Sequence, residues 1–84
     1  MLDLSIIVVN WNTREMLANC LRSIEDTVTD FAYEVIVVDN GSEDGSQTML
    51  RQLFPQVCLI ENDENVGFAR ANNQGMAVAQ GRYV

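Results

Sequence analysis

Three short polar segments hold the residues whose types suit ligand binding. They are Asn10-Trp11-Asn12, Asp39-Asn40-Gly41-Ser42, and the stretch from 62 to 73, which contains Asn65, Gly67, Arg70 and Asn73. Together they offer a carboxylate, several amides, an indole, a guanidinium and backbone exposed at glycine. Amides and a carboxylate can pair with the edge of a nucleobase, and arginine suits phosphate. The segments therefore predict a nucleotide site, provided that the fold brings them together.

Each polar segment follows an apolar run that is typical of a strand. The runs are Leu4 to Val9, Glu34 to Val38 and Val57 to Ile60. Unbroken Val and Ile favour strands that are buried on both faces, as in a parallel sheet covered by helices. In open α/β sheets, ligands bind outside the carboxyl ends of the strands. We therefore expect Asp39, directly after the second run, to lie at the ligand-binding edge.

Helical spacing of apolar residues separates these runs. The first helix is predicted to bury Met16, Leu17, Cys20, Leu21 and Ile24, and the second Met49, Leu50, Leu53 and Phe54. Asn12 with Glu15, and Asp44 with Gln47, are predicted to cap these helices. A third helix is expected from Gly67 to about Ala79, with Gly75 packed closely on the sheet and Gly81 just past the helix end. Tyr83-Val84 would begin another strand. This alternation predicts an α/β fold: a three-layer α/β/α arrangement with a mostly parallel, Rossmann-like sheet.

Composition excludes several classes of protein. The net charge is −7, from twelve acids and five basic residues, and there is no histidine. Nucleic-acid binding needs clustered Lys and Arg, and a His-based triad or His-ligated zinc site is impossible. Cys20 and Cys58 are predicted to be reduced core thiols. No apolar run is long enough to span a bilayer and no basic signal-peptide region precedes the first strand, so we expect a cytoplasmic protein.

Several alternatives stay open at this point. The glycine patterns of dinucleotide-binding folds and P-loops are missing after the first strand. Asp39 is either a ligand-binding acid or a turn acid before Asn40-Gly41. Trp11 either covers the core or stacks on a ligand. Arg70 either binds phosphate or forms a surface ion pair with Asp63 or Glu64.

The motifs themselves resemble a known family. Ile6-Ile-Val-Val-Asn-Trp-Asn12, Val37-Val-Asp-Asn-Gly-Ser42 with Asp44-Gly45, and Asn65-Val-Gly-Phe-Ala69 with Asn72-Asn73-Gln-Gly75 resemble the family 2 glycosyltransferases of GT-A fold. The forms Asn-Trp-Asn and Asn-Val-Gly-Phe-Ala look most like the bacterial rhamnosyltransferase-like branch. The resemblance covers essentially the whole chain.

The resemblance implies inverting transfer of a sugar from a UDP- or dTDP-sugar to an acceptor hydroxyl in bacterial surface polysaccharide synthesis. The acceptor would be a glycan or a lipid-linked glycan, and the full-length protein would work at the inner face of the membrane. Asp39 would bind the pyrimidine base, with Asn10, Trp11 and Asn12 beside it and the Asn40–Ser42 turn next to it. Asn65 and Gly67 would line the nucleotide pocket. Arg70 and Asn73 would contact the ribose or the diphosphate.

The resemblance also implies what residues 1–84 should not contain. The Asp-x-Asp motif that binds Mg²⁺ or Mn²⁺ would follow the strand beginning at Tyr83, and the catalytic base would come later. We therefore expect the N-terminal, nucleotide-binding portion of a GT-A domain, without catalytic residues or metal ligands. The alternative is a non-catalytic Rossmann-like binding module or an inactive fragment. Such a truncated sheet is expected to self-associate or to be loosely packed, because it would expose apolar side chains at its open edges, among Ile6, Val8, Ile36, Val38 and Leu59.

Overall fold

Strands and helices alternate along the chain. The computed structural model describes residues 2–84. The strands are β1 (Leu4–Asn10), β2 (Tyr33–Asn40) and β3 (Cys58–Asn62), and the helices are α1 (Arg14–Thr27), α2 (Ser46–Leu53) and α3 (Phe68–Val78). The strands form one parallel sheet in the order β1-β2-β3. The predicted α/β fold with a parallel sheet is confirmed.

The central strand β2 explains the unbroken apolar run. Successive side chains of a strand point to opposite faces. Val35 and Val37 belong to a cluster with side chains of α1 and α2, such as Leu21. Ile36 and Val38 instead pack with α3 on the other face. Three layers result. Because each burial of such a side chain is worth about 1.5–3 kcal/mol, β2 contributes much of the stability.

The helix starts differ from the capping prediction. Asn12 does not cap α1: it has a φ of 52°, and its Oδ1 accepts a hydrogen bond from the Glu43 N–H at 2.7 Å. The capping box with Glu15 was wrong. Instead, the Arg14 N–H at the start of α1 donates to Asp44 Oδ2 at 2.9 Å. The first orphan donor of α1 is thus satisfied by a side chain from the loop before α2.

Two glycines allow close contact with β1. A Cβ at Gly75 would lie 2.6 Å from Ile7 Cγ2, which accounts for a glycine inside α3. A Cβ at Gly81 would lie 2.6 Å from both Leu4 C and Ser5 N. Gly81 is three residues beyond the last residue of α3, Val78, so its role is close approach to the β1 backbone.

Tyr83 pairs with the edge of β1 opposite β2. A parallel bridge joins it to Leu4, with Tyr83 N–H donating to Asp3 O at 3.0 Å and Ser5 N–H donating to Tyr83 O at 2.8 Å. The Ser5 hydroxyl accepts from the Gly81 N–H and donates to Glu34. The predicted strand start at Tyr83 is present as this single bridge.

Several predicted core positions are exposed. Cys20 and Cys58 both face solvent, so the prediction of core thiols was wrong. Cys20 lies between Leu17 and Leu21 in sequence but off their buried side of α1, and Cys58 lies in edge strand β3. Met16 and Leu53 are also mostly exposed. No helix within residues 2–84 combines the length and the apolar character needed to cross a membrane.

Candidate functional site

The carboxyl ends of the three strands bring the polar segments together. In the register of the sheet, Asn10 lies beside Asp39, and Asp39 lies beside Glu61. One position further, Asn40 lies beside Asn62. The residues that follow each strand therefore share one edge, as expected for a ligand site in an open α/β sheet.

Asp39 is fully buried at this edge. Its Oδ1 accepts hydrogen bonds from Asn10 Nδ2 at 2.8 Å and Ser42 Oγ at 2.7 Å. Its Oδ2 accepts from Ser42 N–H at 2.9 Å and Gln47 Nε2 at 2.6 Å. Asp39 thus joins the end of β1, the turn after β2 and the first turn of α2. A nucleobase N3–H would have to replace one of these donors, and the base contact stays a prediction.

Ser42 connects the first two polar segments. While its hydroxyl donates to Asp39, the same oxygen accepts from the Asn12 N–H at 2.9 Å and from Asn10 Nδ2 at 3.2 Å. The Oδ1 of Asn10 accepts from Thr13 Oγ1. The Asn10–Asn12 segment is therefore held against the turn by side-chain hydrogen bonds, which is how the fold positions the partly exposed Trp11 beside it.

Gly41 gives this turn its shape. Its φ is 73°, a conformation that favours glycine. A Cβ there would lie 3.0 Å from Glu64 Cα, so the turn after β2 packs directly on the loop after β3. Both the conformation and the contact exclude a larger residue.

Asp44 joins the starts of α1 and α2. Its Oδ1 accepts from Ser46 N–H and Ser46 Oγ, in addition to the bond from Arg14. Desolvation alone would raise the pKa of Asp44, but the hydrogen bonds from Ser46 and Arg14 outweigh it and hold the pKa below its ordinary value of 3.8. The hydrogen bonds to the ionised Asp44 therefore stabilise the folded chain above about pH 4, where the unfolded carboxyl is also ionised. This stabilisation is lost as the pH falls through the lowered pKa of Asp44.

A cluster of three amides connects the second and third segments. We call Asn40, Asn62 and Gln74 the amide cluster. Asn62 and Gln74 exchange two hydrogen bonds, at 2.8 and 3.0 Å, and Asn62 Nδ2 also donates to Asn40 Oδ1 at 3.0 Å. Asn40 Nδ2 then donates to the carbonyl of Gly67 at 3.3 Å.

Sequence reasoning missed three of the residues that build this edge. Gln47 was predicted to help cap α2 but binds Asp39, and neither Asn62 nor Gln74 was assigned a role. Each makes its contact with a residue on another element. In the sequence, these contacts are indicated only by an amide residue that lies near the end of a strand or in a helix expected to cover that end.

The remaining predicted site residues are accessible to solvent. Trp11 is 53% exposed, and Asn65, Gly67, Arg70 and Asn73 are exposed too. Asn65 Oδ1 accepts from the Gly67 N–H at 2.8 Å, which fixes the turn before α3. Within residues 2–84 the ion pair joins Arg51 to Glu61, and Arg70 is not paired with Asp63 or Glu64.

A shallow cavity of about 350 Å³ opens between the turns that follow β2 and β3. Its lining mixes amides, carboxylates and glycine backbone: Gly41, Ser42, Glu43, Gln47, Glu61, Asn62 and Asp63. In the described part of the chain, no three carboxylate or thiol groups converge as ligands for a metal ion.

Known proteins share both the sequence and this architecture. The chain is 40% identical over 79 residues to the glycosyltransferase YfnE of Bacillus subtilis (strain 168), covering 92% of this chain and 20% of YfnE. It is 32% identical over 83 residues to TuaG of the same organism, a glycosyltransferase named for teichuronic acid biosynthesis, covering 95% of this chain and 32% of TuaG. The chain thus spans between a fifth and a third of the length of these relatives.

A solved structure agrees with the sequence matches. The mannosyltransferase PcManGT from Pyrobaculum calidifontis, in complex with GDP-Man and Mn²⁺, superposes with a TM-score of 0.78 at 26% identity. The superposition covers 95% of this chain and 27% of that protein, so the fold is that of a GT-A glycosyltransferase. The family model for Glycosyl transferase family 2 matches residues 5–84. The chain therefore belongs to glycosyltransferase family 2.

Proposed function

We propose that residues 1–84 form the N-terminal, nucleotide-sugar-binding portion of an inverting glycosyltransferase that uses a UDP- or dTDP-sugar. The observation that carries the proposal is the shared carboxyl edge, where Asp39 and Ser42 hold the ends of β1 and β2 together. A loop edge that is fixed before the ligand arrives binds it with less loss of conformational entropy.

The cavity beside Gly41 is the proposed entry for the base. Four groups donate hydrogen bonds to Asp39. Asn10 and Ser42 are buried, whereas Gln47 is partly exposed and lines the cavity. When Gln47 swings outward, Asp39 Oδ2 becomes available to a pyrimidine N3–H. Trp11 lies at the same edge, with an exposed indole face for the base or the ribose.

The start of α3 is the proposed diphosphate site. The residue before the helix is Gly67, and no side chain caps the first turn. Free N–H groups at a helix N-terminus carry partial positive charge that favours an anion. The exposed Arg70 adds a guanidinium, and Asn73 adds an amide one turn away.

The acceptor and the cellular setting are proposed from the relatives. TuaG is named for teichuronic acid biosynthesis, which supports a role in bacterial surface polysaccharide synthesis with a glycan or lipid-linked glycan as acceptor. The rhamnosyltransferase-like branch rests on the motif forms alone. We propose that the complete enzyme works in the cytoplasm at the inner face of the membrane.

A divalent metal belongs to the proposal for the complete enzyme only. PcManGT was solved with Mn²⁺, and Mg²⁺ or Mn²⁺ in the complete enzyme would stabilise charge on the leaving diphosphate. We propose nucleotide binding for residues 1–84 and assign them no metal-dependent step. The second candidate function is a non-catalytic nucleotide-binding module. A sugar-transfer assay of the complete protein distinguishes the glycosyltransferase from the non-catalytic module.

We expect UDP or dTDP to bind at least tenfold more tightly than ADP or GDP. The reason is that one carboxylate acceptor between backbone donors matches the N3–H and carbonyls of a pyrimidine. Calorimetric titration of the chain with each nucleotide measures this. Equal affinity for UDP and ADP would refute the base assignment, and tenfold tightening by Mn²⁺ would show that metal ligands lie within these residues.

We also propose that the 84-residue chain self-associates. Ile36 and Val38, two of the side chains expected to be exposed, are fully buried. The exposed apolar surface comes instead from Phe31, Phe68 and Tyr83, and the outer edge of β3 is not paired within residues 2–84. Unpaired edges and exposed aromatic groups favour association. Sedimentation velocity should show a sedimentation coefficient that rises with concentration, whereas a constant monomer value would contradict the proposal.

A further inference from the structure

We infer that Asn62 and Gln74 are positioning residues for the nucleotide site: their paired amides fix where the N-terminus of α3 points. This inference rests on the proposed function and assigns a role to two residues that were not among the predicted site residues. Asn62 also lines the cavity proposed for the base, whereas Gln74 is not part of that lining, so Gln74 is the residue at which positioning is tested.

The pair is a closed ring of two hydrogen bonds between side chains on different elements. Asn62 ends β3, and Gln74 lies in the second half of α3. Each amide donates to the carbonyl of the other, at 2.8 and 3.0 Å. The backbone of α3 lies mainly over β1 and β2, and β3 contributes Ile60 to the apolar cluster beneath the helix. The amide pair therefore joins α3 to β3 by hydrogen bonds, which fix the relative orientation of the two elements more strictly than apolar contacts do.

The link continues to the start of the helix. The second hydrogen of Asn62 Nδ2 goes to Asn40 Oδ1, and Asn40 is 2% exposed. Asn40 Nδ2 in turn donates to the Gly67 carbonyl, the same oxygen that accepts the Ala71 N–H of α3. Gly67 has a φ of 89°, and a Cβ at this position would meet nothing within 4 Å, whereas the preceding Val66 packs on the apolar cluster beneath α3. The turn that precedes Phe68 and Arg70 is therefore held at the Gly67 N–H by Asn65 and at the Gly67 carbonyl by the amide cluster, which alone within residues 2–84 ties it to β2 and β3 through side-chain hydrogen bonds.

A hydrogen-bonded cluster specifies direction, because every donor must face an acceptor. Moving α3 along its axis would break the ring, whereas an apolar contact would tolerate the shift. The cluster is also neutral, in a chain with a net charge of −7. A carboxylate at either position would place further negative charge beside an anionic ligand.

The test compares Gln74→Met with Gln80→Met. Methionine keeps the length of the side chain but removes both hydrogen bonds of the ring. Gln80 is exposed and only its backbone N–H is bonded, so its variant makes the same chemical change without touching the cluster. Gln74→Met is expected to weaken UDP binding about tenfold, which corresponds to about 1.4 kcal/mol. Gln80→Met should leave affinity unchanged.

A second variant separates positioning from stability. In Asn62→Leu/Gln74→Met the ring is replaced by two apolar side chains, which leaves no unpaired amide within it, although Asn40 Oδ1 loses its donor. We expect its denaturation midpoint to recover towards that of the wild type while UDP affinity stays low. Recovery of affinity together with stability, or no loss of affinity in Gln74→Met, would overturn the inference.

A readout without nucleotide distinguishes this inference from the proposed function. Hydrogen exchange at the amide of Ala71, which is buried and donates to the Gly67 carbonyl, should be faster in Gln74→Met than in the wild type and unchanged in Gln80→Met. Unchanged exchange in Gln74→Met would overturn the positioning role alone. Failure of the wild-type chain to bind UDP would overturn the proposed function, and the nucleotide-site role of the cluster with it.

Discussion

Replacing Asp39 with alanine is expected to lower the free energy of unfolding by roughly 3–5 kcal/mol. The substitution leaves the side-chain amides of Asn10 and Gln47 and the N–H and hydroxyl of Ser42 without their shared acceptor at a fully buried position. Urea denaturation of the wild type and the variant measures the difference. Because small domains are only marginally stable, a variant that is largely unfolded in buffer is also consistent with this expectation.

Asp63→Ala is the matched control, since Asp63 is an exposed acid at the same edge. It should change stability by no more than about 0.5 kcal/mol. Asp39→Asn should fall between the two, because the amide keeps one acceptor but turns the other into a donor. If Asp39→Ala is as stable as Asp63→Ala, the hydrogen bonds around Asp39 do not hold the edge together. In whichever Asp39 variant stays folded, a direct base contact predicts a loss of roughly 1.5–3 kcal/mol in UDP binding.

Gly81→Ala is expected to lower the free energy of unfolding by about 1–3 kcal/mol, the range for added volume in a packed site. The new Cβ would overlap Leu4 C and Ser5 N, and these are backbone atoms that no rotamer change can move. Relief requires the segment after α3 to move away from β1, which would break the Tyr83 bridge. A denaturant melt together with amide exchange at Ser5, whose N–H donates to Tyr83 O, measures both effects.

Gln80→Ala serves as the control for Gly81→Ala, because the side chain of Gln80 is exposed and its backbone bond to Glu34 would remain. It should be nearly neutral. A Gly81→Ala variant with wild-type stability and a protected Ser5 amide would show that the close approach to β1 is not needed.

The fold was predictable because its signals are local. The run Val35 to Val38 has no polar interruption, and only a central strand covered on both faces accommodates that pattern. Asp39 was placed correctly at the carboxyl edge for the same reason, since it follows that run directly. Gly75 was recognised as a close contact because a glycine is otherwise unfavourable inside a helix.

The errors came from contacts between distant residues. Asn12 and Glu15 have the spacing of a capping box, but Asn12 bonds the turn after β2 and Asp44 takes over the start of α1. Cys20 fits a helical apolar stripe, yet the buried side of α1 is narrower and is set by where the sheet lies. The Asn62–Gln74 pair spans a strand and a helix, so no spacing in the sequence indicates it.

The most direct test is nuclear magnetic resonance of the ¹⁵N-labelled chain titrated with UDP. The account predicts that the largest shift changes fall on backbone amides of the carboxyl edge, such as Ser42, Gly67 and Phe68, and on the Trp11 indole. The opposite edge of the sheet offers a comparison, because a cavity of about 330 Å³ lined by Tyr33, Gln56 and Val57 lies there. Shift changes confined to that cavity, or none at millimolar UDP, would contradict the claim that the carboxyl edge binds the nucleotide.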